Sequence, residues 1–185
     1  FLTCPRKYYY TKIAHIDAPK GLAKELGTKQ GNSVHSALFE YYTSEFYKQN
    51  NTFDLAVFKE MLAKQNLTPL EFEIWTHKFK EYEIYENERL RAGFRVLECE
   101  KEVQSEFCGV QIKGFIDRID VGANGDVLIL DYKTGEANVN SLQLAFYEAL
   151  YDGKVRSAYY ALKNEPNLVS SKKSVEDLNS EIEKL

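Results

Sequence analysis

What this chain most visibly lacks is a surplus of basic charge. It carries 24 Lys and Arg against 28 Asp and Glu in 185 residues, a formal net charge of −4. That balance argues against nucleic-acid binding by bulk electrostatics, because such binders show a basic patch. It does not exclude a site whose positive charge comes from a divalent cation held by carboxylates. Many of the acids fall between Glu71 and Glu88, a helical stretch that can face solvent far from any site. Cysteine is scarce as well. Cys4, Cys99 and Cys108 make an odd count at irregular spacing, with no CxxC pair. A disulfide framework and a local zinc or thioredoxin-type site are therefore not expected, and a reducing, cytoplasmic location fits the chain better. No apolar run approaches the roughly 18–20 residues that span a bilayer, and no signal peptide is visible, so no membrane partner is expected. The sequence shows no internal repeat and no low-complexity segment. It begins with Phe1 rather than Met, which predicts a fragment of a longer protein.

What is present is an ordinary globular composition, 44% apolar, in a length that predicts one domain over residues 1–185. Residues 1–94 read as mainly helical. Val34, Leu38, Tyr41 or Tyr42, and Phe46 recur at helical spacing, predicting a helix from Asn32 to Tyr47 with Asn32 or Ser33 as cap. A second helix is predicted over 51–65. Thr68-Pro69-Leu70-Glu71 is a capping box with proline in the first turn, opening a third helix that runs to about Arg91. The texture changes over 95–162. From Val96 to Phe107 the residues Glu98, Glu100, Glu102, Gln104 and Glu106 fall on one side, and Leu97, Cys99, Val103 and Phe107 on the other. This predicts a strand with one wet face. Strands over Val110–Val121 and Asp126–Lys133 follow, separated by the turn signal Gly122-Ala123-Asn124-Gly125. Val127-Leu128-Ile129-Leu130 is apolar enough to be buried on both faces. A helix over Asn138–Tyr151 and a strand over Ser157–Leu162 complete the set. Residues 163–185 are polar and end in a charged helix.

Strand register brings out the chemistry. If the second and third strands pair around Asn124, Asp117 faces Asp131, with Cβ atoms roughly 4.5–5.5 Å apart. Two carboxylates so placed repel, and a divalent cation with oxygen ligands, Mg²⁺ or Mn²⁺, is the simplest offset. Lys133 lies two residues beyond Asp131 and so on the same strand face. Its ammonium could orient a water or steady a phosphate, and the carbonyl of Tyr132 is available between the two. The alternative on residue types alone is a plain hairpin with a surface Asp131–Lys133 salt bridge, worth little.

These residues also carry a resemblance. Gly114-Phe115-Ile116-Asp117-Arg118-Ile119-Asp120, Ile129-Leu130-Asp131-Tyr132-Lys133-Thr134-Gly135 and Gln143-Leu144-Ala145-Phe146-Tyr147 resemble the RecB-type branch of the PD-(D/E)XK nuclease superfamily. Gly31-Asn32-Ser33-Val34-His35 is similar to that branch's GxxxH motif, and Cys4-Pro5-Arg6-Lys7-Tyr8-Tyr9-Tyr10 to its N-terminal segment. The resemblance implies an α+β restriction-endonuclease-like core: a central mixed sheet of about four strands flanked by helices, with an N-terminal helical portion. It implies metal ligation by His35, Asp117 and Asp131, to which the Tyr132 carbonyl can add, with Lys133 as the catalytic lysine. Gln143 and Tyr147, four apart on one helix face, would contact DNA or support the lysine. It further implies a DNA exonuclease in recombination and repair, with a helicase–nuclease partner subunit or further domains. Ile116 stands where the superfamily's name has proline, which this branch tolerates. Some relatives hold an iron–sulfur cluster with one N-terminal and three C-terminal cysteines. Cys4 resembles the first, but no cysteine follows Cys108, so no cluster is expected.

Other candidates carry less. His15 and His77 have no motif and read as surface residues. Glu100 could reach a metal through water, but its glutamate neighbours point to a solvated face. The aromatic stripe from Phe72 to Tyr82 reads as core, and Tyr8, Tyr9 and Tyr10 as packing rather than base stacking. Arg118 could reach a phosphate or pair with Asp120.

Overall fold

In the computed structural model of the chain, the described residues are 22–107, 110–151 and 153–183. Cys4 with its tyrosine segment, His15 and Cys108 lie outside them. Four helices come first: α1 (Leu22–Thr43), α2 (Glu45–Asn50), α3 (Leu55–Ala63) and α4 (Pro69–Arg91). The expected start of the first helix at Asn32 or Ser33 is corrected. Helix α1 begins at Leu22 and passes through Gly31. A glycine inside a helix costs about 1 kcal/mol against alanine. Here it permits a close approach, because a Cβ on Gly31 would sit 3.0 Å from Thr134 Oγ1, just past β3. The far end differs too. Ser44 interrupts the helix and accepts a hydrogen bond from Tyr47 N, capping α2. At α4 the expected capping box is present, with Thr68 Oγ1 accepting from Glu71 N and Glu71 Oε2 accepting from Thr68 N at 2.7 Å.

The stripe on α4 is core, as its spacing predicts. Trp75, Phe79 and Tyr82 are buried, and the Phe79 ring lies 4.2 Å from the Phe58 ring, tilted at 41°. His77 on the same helix is exposed.

The sheet comprises β1 (Arg95–Phe107), β2 (Val110–Val121), β3 (Val127–Lys133), β4 (Val155–Ala161) and β5 (Asn167–Val169), with α5 (Gln143–Leu150) between β3 and β4 and α6 (Val175–Ile182) last. Spatial order follows sequence order. Strands β3 and β4 pair in parallel across α5, and the other neighbours are antiparallel. The sheet is thus mixed, as expected, but has five strands rather than four. Strand β5 falls in the stretch read as polar and helical. Three residues are too few to show a period of two, and β5 is fixed by pairing with Tyr159–Ala161.

Helices α1, α3 and α4 cover one face, against Leu128, Leu130, Tyr132, Ala158 and Tyr160. Helix α5 covers the other, against Ile116, Ile119, Ile129 and Tyr159. Strand β3 lies between the layers, which accounts for its continuous apolar run.

Strand β1 departs from the predicted simple alternation. Leu97 is 52% exposed, Cys99 packs against the helical side, and Val103 packs against the α5 side. Two irregularities cause this. The register slips by one residue between Val96 and Glu98, and Glu100 adopts φ 50°, a left-handed conformation uncommon for a side-chain-bearing residue. On β2, Ile116 belongs to the α5-side core whereas Arg118 reaches Glu86 of α4. Both strands of the hairpin therefore change face at one level, that of Glu100 and Asp117. Such irregularities re-aim side chains and recur beside functional sites.

Candidate active site

The β2–β3 register is the one expected from a turn at Asn124, with Arg118 opposite Leu130 and Val121 opposite Val127. Continued by one residue, it sets Asp117 opposite Asp131 at the end of the ladder. There Tyr132 N donates to Asp117 Oδ2 at 2.8 Å instead of to backbone. The β1–β2 register, continued through its gap, sets Glu100 opposite Asp117 on the other side. Asp131 pairs with Tyr159 of β4. Three carboxylates from three adjacent strands thus share one row across the sheet.

Helix α1 closes over that row. His35 Nδ1 lies 3.5 Å from Asp117 Oδ2, and its ring meets the Tyr132 ring edge-on at 5.8 Å. His35, Glu100 and Asp117 each offer a ligand atom within 4.8 Å of the others. Glu100 is exposed, as its neighbours suggested, yet its carboxylate joins this trio. Asp131 stands beside the trio and turns toward α5. Its Oδ1 accepts from Gln143 Nε2 at 2.7 Å and from Tyr147 OH at 3.5 Å. Its Oδ2 lies 2.5 Å from Lys133 Nζ. Lys133 Nζ also donates to Gln143 Oε1 at 3.0 Å and sits 5.1 Å over the Tyr159 ring. Gln143 therefore bridges the acid and the lysine, and it donates to Tyr147 OH at 3.0 Å as well. The structure brings together all seven residues that the sequence singled out, and adds Glu100.

The electrostatics mark the site as short of positive charge. Burial, reinforced by the neighbouring Asp131 charge, pushes the Asp117 carboxyl up to about 7, although the Tyr132 N–H opposes the rise. Burial also raises Glu100. For His35, burial lowers the imidazole below its ordinary value; Asp131 opposes this, and Lys133 adds to it. A neutral imidazole is the form that ligates metal. Among the described residues, three buried side-chain polar atoms lack a hydrogen-bond partner, and two of them are Asp131 Oδ2 and Tyr159 OH. The close Lys133 contact to Asp131 Oδ2 is thus an ion pair without hydrogen-bond geometry. Buried oxygens are seldom left so. A buried carboxylate oxygen without a hydrogen bond, a carboxyl raised by burial and a second acid, and a neutral histidine fit a hard divalent cation.

A cleft of about 450 Å³ opens onto the trio, lined by Asn32, His35, Ser36, Phe39, Glu100 and Asp117. A cavity of similar volume, about 460 Å³, lies between α1–α2 and the start of β1 and holds none of these site residues. Cys99 on its wall has a thiol pushed up to about 12 by burial, which makes it a poor nucleophile. No helix among the described residues is long and apolar enough to cross a membrane.

A mixed sheet that gathers carboxylates, a histidine and a lysine where its β2–β3 ladder ends defines a candidate hydrolytic metal centre. Comparison with known families places it. A family model described as the PD-(D/E)XK nuclease superfamily matches residues 1–185, and the chain belongs to that superfamily, whose members are generally nucleases that use divalent metals. Among solved structures, the chain is similar to the crystal structure of protein VC1899 from Vibrio cholerae, at 11% identity and a TM-score of 0.31. That alignment covers 86% of this chain and 46% of the other, so this chain spans about half the length of that structure. A search of curated proteins returns no match.

Proposed function

We propose that the chain is a divalent-metal-dependent deoxyribonuclease domain of the RecB type, an exonuclease that hydrolyses phosphodiester bonds at DNA ends during recombination and repair. The observation that carries this reading is the row of acids where the β2–β3 ladder ends, with Asp131 Oδ2 ion-paired to Lys133 and without a hydrogen bond. His35, Asp117, Asp131 and the Tyr132 carbonyl would hold Mg²⁺ or Mn²⁺, with Glu100 as a further ligand. When bound, such a cation polarises a phosphoryl oxygen and lowers the pKa of a bound water.

The chain's own residues supply the rest. Lys133, held by Gln143 and Asp131, keeps its ammonium where a phosphate oxygen or an attacking water would sit. Gln143 and Tyr147 fix the Asp131 carboxylate so that it need not reorganise during reaction. Phe39, 42% exposed on the cleft wall one helical turn past His35, offers a ring to a base next to the scissile phosphate. The partners implied are DNA and a helicase–nuclease subunit or further domains of a longer chain.

The test uses end-labelled linear and covalently closed circular DNA, single- and double-stranded, with Mg²⁺, Mn²⁺ or chelator. Linear substrate should be degraded from its ends in either metal and left intact in chelator, and circles should resist. Cut circles would replace the exonuclease with an endonuclease. Binding without cleavage in any metal would leave a DNA-end binding module on the same fold.

A further inference from the structure

Directly beneath the site, on the helical side of the sheet, lies a second charged cluster that takes no part in the chemistry above. Glu86 and Arg89 from α4 meet Arg118 and Asp120 from β2, and three of the four are fully buried. Arg118 donates from Nε to Asp120 Oδ1 at 2.6 Å, and from Nη2 to Asp120 Oδ2 at 2.9 Å and Glu86 Oε1 at 2.5 Å. Arg89 donates to Glu86 Oε2 at 3.0 Å and Asp120 Oδ2 at 2.8 Å. Two acids and two arginines cancel. Fully buried, Arg118 cannot reach a phosphate, which resolves the choice that the sequence left open.

The tyrosines around the cluster show what it touches. Arg118 Nη1 donates to Tyr132 OH at 3.2 Å. Tyr132 lies between Asp131 and Lys133, and its own N–H holds Asp117. Tyr42 OH donates to Glu86 Oε1 at 3.0 Å, and the Arg118 guanidinium lies 4.3 Å over the Tyr42 ring. Tyr42 is two helical turns past His35 on α1, and Arg118 directly follows Asp117. Three of the four elements bearing a proposed ligand, α1, β2 and β3, thus place a residue in this one cluster. Hydrophobic packing alone would hold these elements together, but apolar contacts are non-directional. Forked, charge-assisted bonds fix angle and distance.

We propose that the Glu86–Arg89–Arg118–Asp120 cluster is a positioning device for the metal site, setting the spacing of His35, Asp117 and Asp131 through Tyr42, Arg118 and Tyr132. The proposal rests on the metal-site reading, and its test separates the two. Replacing a buried ion pair by neutral groups of similar size is often harmless to stability. The double variant Glu86→Gln with Arg118→Met leaves the Arg89–Asp120 pair intact, so it removes the fork without stranding a charge. Mn²⁺ binding to the DNA-free protein is measured by calorimetry, alongside the thermal midpoint.

The double variant should keep a midpoint near that of the wild type and lose about tenfold or more in Mn²⁺ affinity, the usual cost of removing the supports behind metal ligands. Arg118→Lys, which keeps charge but not the fork, should fall between. Should the double variant fail to fold, Tyr132→Phe carries the test, because it deletes one hydroxyl and should still weaken Mn²⁺ binding severalfold. Wild-type affinity in a folded double variant, or in Tyr132→Phe, overturns the proposal. Absence of Mn²⁺ binding by the wild-type protein overturns the metal-site reading itself.

Discussion

Asp117 makes metal binding sensitive to pH in a calculable way. Its carboxyl stands at about 7 in the folded chain against an ordinary 3.8, because burial and the Asp131 charge disfavour ionisation. The folded state therefore holds this proton more tightly than the unfolded state. The sign follows: the stabilising effect is full below the unfolded value and is lost as pH rises through the folded one. A gap of this size corresponds to a cost on the order of 4 kcal/mol in the metal-free protein above neutral pH. A cation at the site removes that cost by replacing the proton. Metal and proton thus compete for one carboxylate, and apparent affinity falls about tenfold for each pH unit below about 7. His35 works in the opposite direction, since burial lowers its value and favours the neutral, ligating imidazole. The proton held by Asp117 should be released on binding, and the dependence should level off above about pH 7.5. The assay is Mn²⁺ titration by calorimetry from about pH 5.5 to about pH 8.5, with the metal-induced rise in thermal midpoint as a second readout. Asp117→Asn should weaken binding and flatten the curve. Affinity in the wild-type protein that is unchanged between about pH 5.5 and 7 would refute the reasoning, because Asp117 would then be ionised without a metal.

Three further expectations follow from the same geometry and packing. Lys133→Ala should retain Mn²⁺ binding and lose roughly 10²–10³ in cleavage rate, the scale for removing one preorganised charge-stabilising donor, as measured by single-turnover kinetics. Gln143→Ala should lower cleavage with a smaller effect on metal affinity, because it releases both Lys133 and Asp131 Oδ1; parallel kinetics and calorimetry separate the two effects. Phe79→Ala should destabilise the fold by about 3–5 kcal/mol in urea unfolding, since the ring is buried among Phe58, Phe53 and Tyr82.

Much of the fold and of the candidate site was legible in the sequence, for local reasons. Thr68-Pro69-Leu70-Glu71 set the start of α4 because a capping box is local chemistry. The turn at Asn124 set the β2–β3 register, and that register put Asp117 opposite Asp131. Other features depend on contacts that a local pattern does not carry. Helix α1 runs through Gly31 because β3 ends against it, and a pattern-based reading stops at the glycine. Strand β5 is too short to show a period and is ordered by its neighbour. The alternating glutamates around Glu100 signal a wet strand face, an inference that assumes a regular strand. The positive φ at Glu100 breaks the alternation. Counted back from Phe107 opposite Val110, Glu100 falls opposite Asp117. The buried Glu86–Arg118 pair spans two elements far apart in sequence, and nothing on α4 marks Glu86 among the many acids there.

The most direct test of the proposed nuclease is cleavage of end-labelled single-stranded DNA in Mg²⁺ by the wild-type protein and Asp131→Ala, each repeated in chelator. The wild-type protein should degrade the strand in Mg²⁺ alone, and Asp131→Ala should leave it intact while remaining folded. Degradation in chelator, or undiminished degradation by Asp131→Ala, would contradict a metal-dependent nuclease centred on this row of carboxylates.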